Sequence, residues 1–215
     1  MIIVPWIVRC GLWKAPFDAA FLAGLREDMV ANYRRHSRGD THWMREEHNI
    51  FDQPGERVSL LRDYFLDRLE EYAGPCALPP VASLRAREIV RPHGEEILVH
   101  ADRHEGHLSA HLVLDGDDLP PGLSEAEIEA RVNRFCPNAI AVCDPAADGM
   151  DQRMPWEGYS TLWIKPHRGL FVLYPSKLRH FVRPYLGDGL FVQITMSAMF
   201  KARPDKPWEL LAGSV

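Results

Sequence analysis

The sequence predicts a mainly β fold, a sandwich or jelly roll with α-helices packed outside it. Three observations carry this expectation. The first 80 residues hold two amphipathic helical stretches, the texture changes near residue 84 to short β-rich runs, and turn residues punctuate those runs at short intervals. A length of 215 residues with 46% hydrophobic and 26% charged side chains suits one large β-rich domain with helical additions better than two domains. The expected organisation is a single domain over 1–215, with a helical support from 1–80 and a jelly-roll core from 84–198 interrupted by insertions at 115–137 and 145–158.

The N-terminal ten residues are apolar, but Pro5 cuts the run and no basic region precedes it, so a first strand is expected there and not a signal peptide. From 17 to 35, Phe17, Phe21, Leu22, Leu25 and Met29 recur at helical spacing. A second helix is expected over 57–72, with Leu60, Leu61, Tyr64, Phe65 and Leu69 as its buried stripe. Eight strand-like runs follow, at 84–91, 97–102, 107–114, 139–143, 160–164, 170–174, 179–184 and 190–197. In the first insertion Ser124 and Glu127 have the spacing of a capping box. The chain has no repeats, and no run is long enough to span a bilayer.

A formal net charge of -5 and a pI near 6.1 leave no basic excess for nucleic acid, which points to a small molecule or a protein side chain as the partner. The four cysteines, Cys10, Cys76, Cys136 and Cys143, show neither a CxxC pair nor metal spacing and are expected to be reduced, as in a cytoplasmic protein.

Candidate metal ligands concentrate between His93 and His111. On a helix, His100, His104, His107 and His111 would share a face and form a zinc stripe, although His104-Glu-Gly-His107 is one residue short of a metalloprotease motif. On strands, His100 and Asp102 point to the same side with Cα atoms about 6.7 Å apart. Gly106, and the turn residues Asp115-Gly116-Asp117 after Leu112-Val113-Leu114, favour strands. His180, on a late strand after the turn at Pro175, supplies a third ligand. Two histidines and a carboxylate make a facial triad, which retains Fe(II) and leaves three coordination positions open for reaction. His104, His107 and His111 are expected around the site, with His107 or His111 as substitutes for Asp102 in an all-histidine version. His36, His42 and His48 fall in or near a polar loop.

His100-Ala-Asp102, then Gly106-His-Leu-Ser-Ala-His-Leu-Val-Leu114, Asp144-Pro145, Gly169-Leu-Phe-Val-Leu-Tyr-Pro175 and His180-Phe-Val-Arg-Pro184, resemble the 2-oxoglutarate/iron(II)-dependent dioxygenases, nearest the small bacterial and phage-type members. The resemblance covers about 84–198 and implies a double-stranded β-helix of the jelly-roll or cupin-like kind. It also implies Fe(II) and 2-oxoglutarate as cofactors, His100, Asp102 and His180 as catalytic metal ligands, and oxidation of a substrate C–H bond by dioxygen. The sequence departs from the family where an arginine is usual on the final strand, about ten residues after the distal histidine, to grip the far carboxylate of 2-oxoglutarate. Here the run is Gly187-Asp-Gly-Leu-Phe-Val-Gln193. Arg87, Lys165 and Arg183 are the candidate replacements, although strand parity sets Arg183 on the face opposite His180.

Three functions follow as expectations. One is a 2-oxoglutarate-dependent oxygenase acting on a small metabolite or amino-acid-like substrate. Another is an iron oxygenase of the same fold that does without 2-oxoglutarate. The third is a non-catalytic cupin-like binding protein, for which the fold is the support.

Overall fold

In the computed structural model both helical stretches form, as α1 (Ala19–His36) and α2 (Glu56–Ala73). The described residues are 2–3, 10–36, 48–74, 78–100, 106–116, 138–143 and 161–201; of Ile2, Ile3, Val99 and His100 only the backbone is described. Asp18 starts α1 by accepting the Phe21 N–H on its carboxylate at 2.7 Å, and Gly74 ends α2 with its N–H on the Glu70 carbonyl. The buried stripe of α2 is Val58, Leu61, Tyr64, Phe65 and Leu69. Leu60, expected in that stripe, is exposed, because one residue is a 100° turn from Leu61 and carries it off the packed face.

All eight expected strand runs form, and two short strands precede them. In chain order the strands are β1 (Ile2–Ile3), β2 (Gly11–Lys14), β3 (Val81–Pro92), β4 (Ile97–His100), β5 (Leu108–Val113), β6 (Ile140–Cys143), β7 (Thr161–Ile164), β8 (Leu170–Pro175), β9 (His180–Val182) and β10 (Leu190–Phe200). They build a large sheet in the order β1-β2-β8-β5-β10-β3 and a small one in the order β4-β9-β6-β7, antiparallel at every pairing. This is the jelly-roll arrangement the sequence predicts. The segments joining β5 to β6 and β6 to β7, which contain the two expected insertions, lie largely outside the described residues.

Strand alternation divides the core in two. On the outer face of the large sheet, Ala110, Leu112, Phe171, Leu173, Val192, Ile194, Met196 and Ala198 pack against Leu25, Met29, Leu61 and Phe65 of the helices. Between the sheets, Val113, Val172, Tyr174 and Phe191 meet Ile140, Val142, Ile164 and Val182. Gly106, which the sequence marks as a turn, is required by close approach: a Cβ there would stand 2.7 Å from the Ala198 carbonyl oxygen. Next to it the His107 N–H donates to that same carbonyl, which anchors the start of β5 on β10. Among the described residues no helix is long and apolar enough to cross a membrane.

Candidate functional site

The late motif folds as a turn over Ser176 and Lys177 and then the three residues of β9. Period-two alternation buries His180 and Val182 between the sheets and turns Phe181 outward, where its ring meets Trp163 edge-on at 5.4 Å. In the small sheet β9 lies between β4 and β6, so His180 is flanked by His100 on one side and Val142 on the other. Residues directly opposite on antiparallel strands have Cβ atoms about 4.5–5.5 Å apart. The fold thus brings the backbone positions of His100 and His180 side by side, although 80 residues separate them in the chain. Asp102 and His104 lie outside the described residues, as does the side chain of His100. Among the described residues no group of three or more His, Cys, Asp or Glu side chains is clustered.

Across the interior, the large sheet presents His111 and Tyr174 to His180. The His180 ring centroid is 5.7 Å from that of His111 and 5.1 Å from that of Tyr174, and His111 Nε2 lies 2.5 Å from the Tyr174 hydroxyl. Nδ1 of His180 is 3.2 Å from the Leu178 carbonyl oxygen. An Nδ1–H donated to that carbonyl sets the tautomer whose lone pair is on Nε2. All three rings are buried.

Further polar groups line the same face. Ser109 and Ser176 hydroxyls are 2.8 Å apart. Cross-strand register gives one row of Arg87, Thr195, His111 and Val172, and a neighbouring row of Ile89, Gln193 and Val113. Gln193 is fully buried, and neither its Nε2 nor its Oε1 has a hydrogen-bond partner. An unsatisfied buried polar group costs about 1–3 kcal/mol, so a residue of this kind at a candidate site calls for a ligand.

The interior closes at its other end. Arg91, one row beyond Ile89, stacks its guanidinium 4.9 Å over the Phe191 ring and donates to the Asn138 side-chain oxygen and, at 3.1 Å, to the Arg183 carbonyl. Burial pushes its pKa down to about 10, so it remains charged and committed to these partners.

Of the candidate cations, the structure sets Arg87 on the inner face of β3, beside Thr195. Lys165 instead lines a cavity of about 570 Å³ at the closed end with Arg26, Asp115, Asn138 and Tyr185, past Ile164 and away from His180. Arg183 lies over the Trp163 ring at 5.8 Å, on the outer face of the small sheet, so neither it nor Trp163 reaches the interior. His107 is exposed, stacked on Phe200 and accepting the Phe200 N–H at Nδ1, whereas His111 is inside. The sequence reading missed Tyr174 and the polar face of β10. Their signal was present as the alternation Gln193, Thr195, Ser197 within an otherwise apolar strand.

No protein-family model and no curated protein matches the sequence. Solved structures do. A prolyl-4-hydroxylase from Pseudomonas putida superposes with a TM-score of 0.58 at 15% identity, over 89% of this chain and 92% of that one. HygX from Streptomyces hygroscopicus, solved with nickel and 2-oxoglutarate bound, gives 0.57 at 11% identity, over 89% and 82%. SnoK, a non-heme alpha-ketoglutarate-dependent carbocyclase from nogalamycin biosynthesis, gives 0.56 at 15% identity, over 95% and 86%. With two antiparallel sheets enclosing a polar interior around His180, the chain has the jelly-roll fold that it shares with these three solved structures.

Proposed function

We propose that the protein is an iron(II)- and 2-oxoglutarate-dependent oxygenase that oxidises a C–H bond of a small metabolite or amino-acid-like substrate. The observation that carries this reading is the pairing of His100 with His180 on adjacent strands of a jelly roll, with Asp102 two residues further along. The donor set suits the metal: two borderline imidazoles and one carboxylate retain Fe(II) and leave three positions open. Gln193 and Arg87 supply an uncharged and a cationic donor of the kind that a dicarboxylic keto acid needs further inside. Held there, iron and 2-oxoglutarate would supply the oxidation, with one atom of dioxygen going to succinate as carbon dioxide is lost and the other to the substrate or to water.

In this reading the protein's own residues do three things. His180 offers Nε2 to the metal while its Nδ1–H is held by the Leu178 carbonyl, which keeps the ring aimed. His111 and the Tyr174 hydroxyl, locked to each other, wall the opposite side. The apolar closure around Phe191, Val113 and Val182 excludes water from beneath the site.

The test is anaerobic titration of the metal-free protein with Fe(II) and then 2-oxoglutarate, followed by the visible charge-transfer band of a chelated keto acid. The band is expected in the wild type and lost in His180→Ala and Asp102→Ala. Iron binding without a band would instead favour an iron enzyme that does not use 2-oxoglutarate, a reading supported by the absence of a basic residue from β10.

A further inference from the structure

Resting on the reading above, we infer that the substrate is an anion: Arg85, at the open end of the space between the sheets, holds a carboxylate of the amino-acid-like molecule whose reacting carbon lies toward His180.

The two ends of the interior differ. Arg91, Asn138 and Phe191 close one of them. Along the inner face of β10, Phe191, Gln193, Thr195 and Ser197 are all buried, whereas Met199, the next inward-facing residue, is 36% exposed, and Ser83 opposite it on β3 is exposed as well. The face therefore passes from interior to solvent between Ser197 and Met199. Arg85 stands at that boundary, in register with Ser197. From there one row leads inward to the proposed metal: Arg85 pairs with Ser197, Ser197 with Ser109, and Ser109 with Tyr174, whose ring centroid is 5.1 Å from that of His180. Three strand spacings of about 4.8 Å separate the Arg85 and Tyr174 backbones, and the side chains at both ends narrow that gap to the scale of one small molecule. Between them lie the short side chains of Ser197 and Ser109.

The charge at this end is of one sign among the described residues. The chain carries a net charge of -5, yet none of β3, β5, β8 and β10 presents a carboxylate on its inner face. Arg85 and Arg87 lie there on β3, and Lys177 and Arg179 are exposed in the turn that leads into β9 and His180. A cleft lined by one sign of charge concentrates ligands of the opposite sign. Among these cations Arg85 is both exposed and on the inner face, and among the described residues it enters no ion pair. Its planar fork matches a carboxylate with two parallel N–H donors.

The experiment loads the protein with Fe(II) and 2-oxoglutarate without oxygen and titrates it calorimetrically with the common L-amino acids and with their primary amides, in wild type, Arg85→Gln and Arg85→Lys. At least one acid is expected to bind the wild type about tenfold or more tighter than its amide. That preference is expected to vanish in Arg85→Gln and to persist in part in Arg85→Lys, which keeps the charge and loses the fork. The charge-transfer band of 2-oxoglutarate should titrate within twofold of wild type in both variants, which shows that the metal site is intact. Acids that bind no better than their amides, a preference that survives Arg85→Gln, or a panel in which no acid binds would each overturn the anionic substrate while the band remains. No wild-type band would overturn the functional reading and this inference with it.

Discussion

On β10, Val192, Ile194, Met196 and Ala198 face the helices, while Gln193, Thr195 and Ser197 face the space between the sheets. All seven are buried to within a few per cent of exposure. The outward four have what apolar side chains need, a place in one apolar cluster with residues of α1 and α2. The inward three sit among histidines, tyrosine and serines, and Gln193 has no partner at all. Burial alone therefore does not separate core from site. What separates them is chemistry and satisfaction: the helix side is packed apolar surface, whereas on the inner face Thr195 bonds the Ala110 carbonyl and Gln193 keeps an unpaired amide.

The largest break in this comparison should come from the outer face. Ile194→Ala is expected to cost about 2–5 kcal/mol in urea unfolding, whereas Thr195→Val one residue away should cost about 1 kcal/mol or less. Similar losses at both positions would mean that the inner face is packed as tightly as the outer. Tyr174→Phe comes next. It removes the hydroxyl bonded to His111 Nε2 and is expected to cost about 0.5–1.5 kcal/mol, with a change in the NMR shifts of the His111 ring that reports its lost tether.

The smallest effect concerns the closed end of the interior. Burial, with help from the positive charge of Lys14, lowers the pKa of His167 below its ordinary 6.5, although the Arg168 carbonyl partly opposes this. The folded state therefore keeps the ring neutral where the unfolded chain already binds a proton. Stability from this residue is full above pH 6.5 and declines as pH falls through the lower folded value. Urea midpoints at pH 7.5 and pH 5.5 should show this decline, and His167→Gln should flatten it.

Much of this was legible in the residues. The alternation of apolar residues located every strand from β3 to β10, and Gly106 marked the entry to β5 for a reason the structure makes physical, the backbone of Ala198 pressed against it. His111 was recognised as belonging near the site, but nothing local distinguished it from His107, which has the same strand parity yet lies just before β5 and is exposed. Arg183 was assigned to the outer face from parity, and its guanidinium lies there over Trp163. Lys165 could not be judged from its own strand. Its distance from His180 follows from the direction in which β7 runs past β6, a property of pairing and not of sequence. Leu60 was misjudged because an apolar residue one step from a helical stripe resembles a member of it until the packed face is known.

The sequence by itself determined the local chemistry: the periods of two and 3.6, the turn residues, and a His-x-Asp motif with a distant histidine, all of which depend on neighbours within a few positions. Tertiary structure alone decided which residues share a row. His100 meets His180, and Arg87 meets Thr195 and then His111, through antiparallel pairings between segments about 80 to 110 residues apart. Register is set by burying one face of each strand against the rest of the molecule, so it is a property of the whole sheet and cannot be read from any one of its strands.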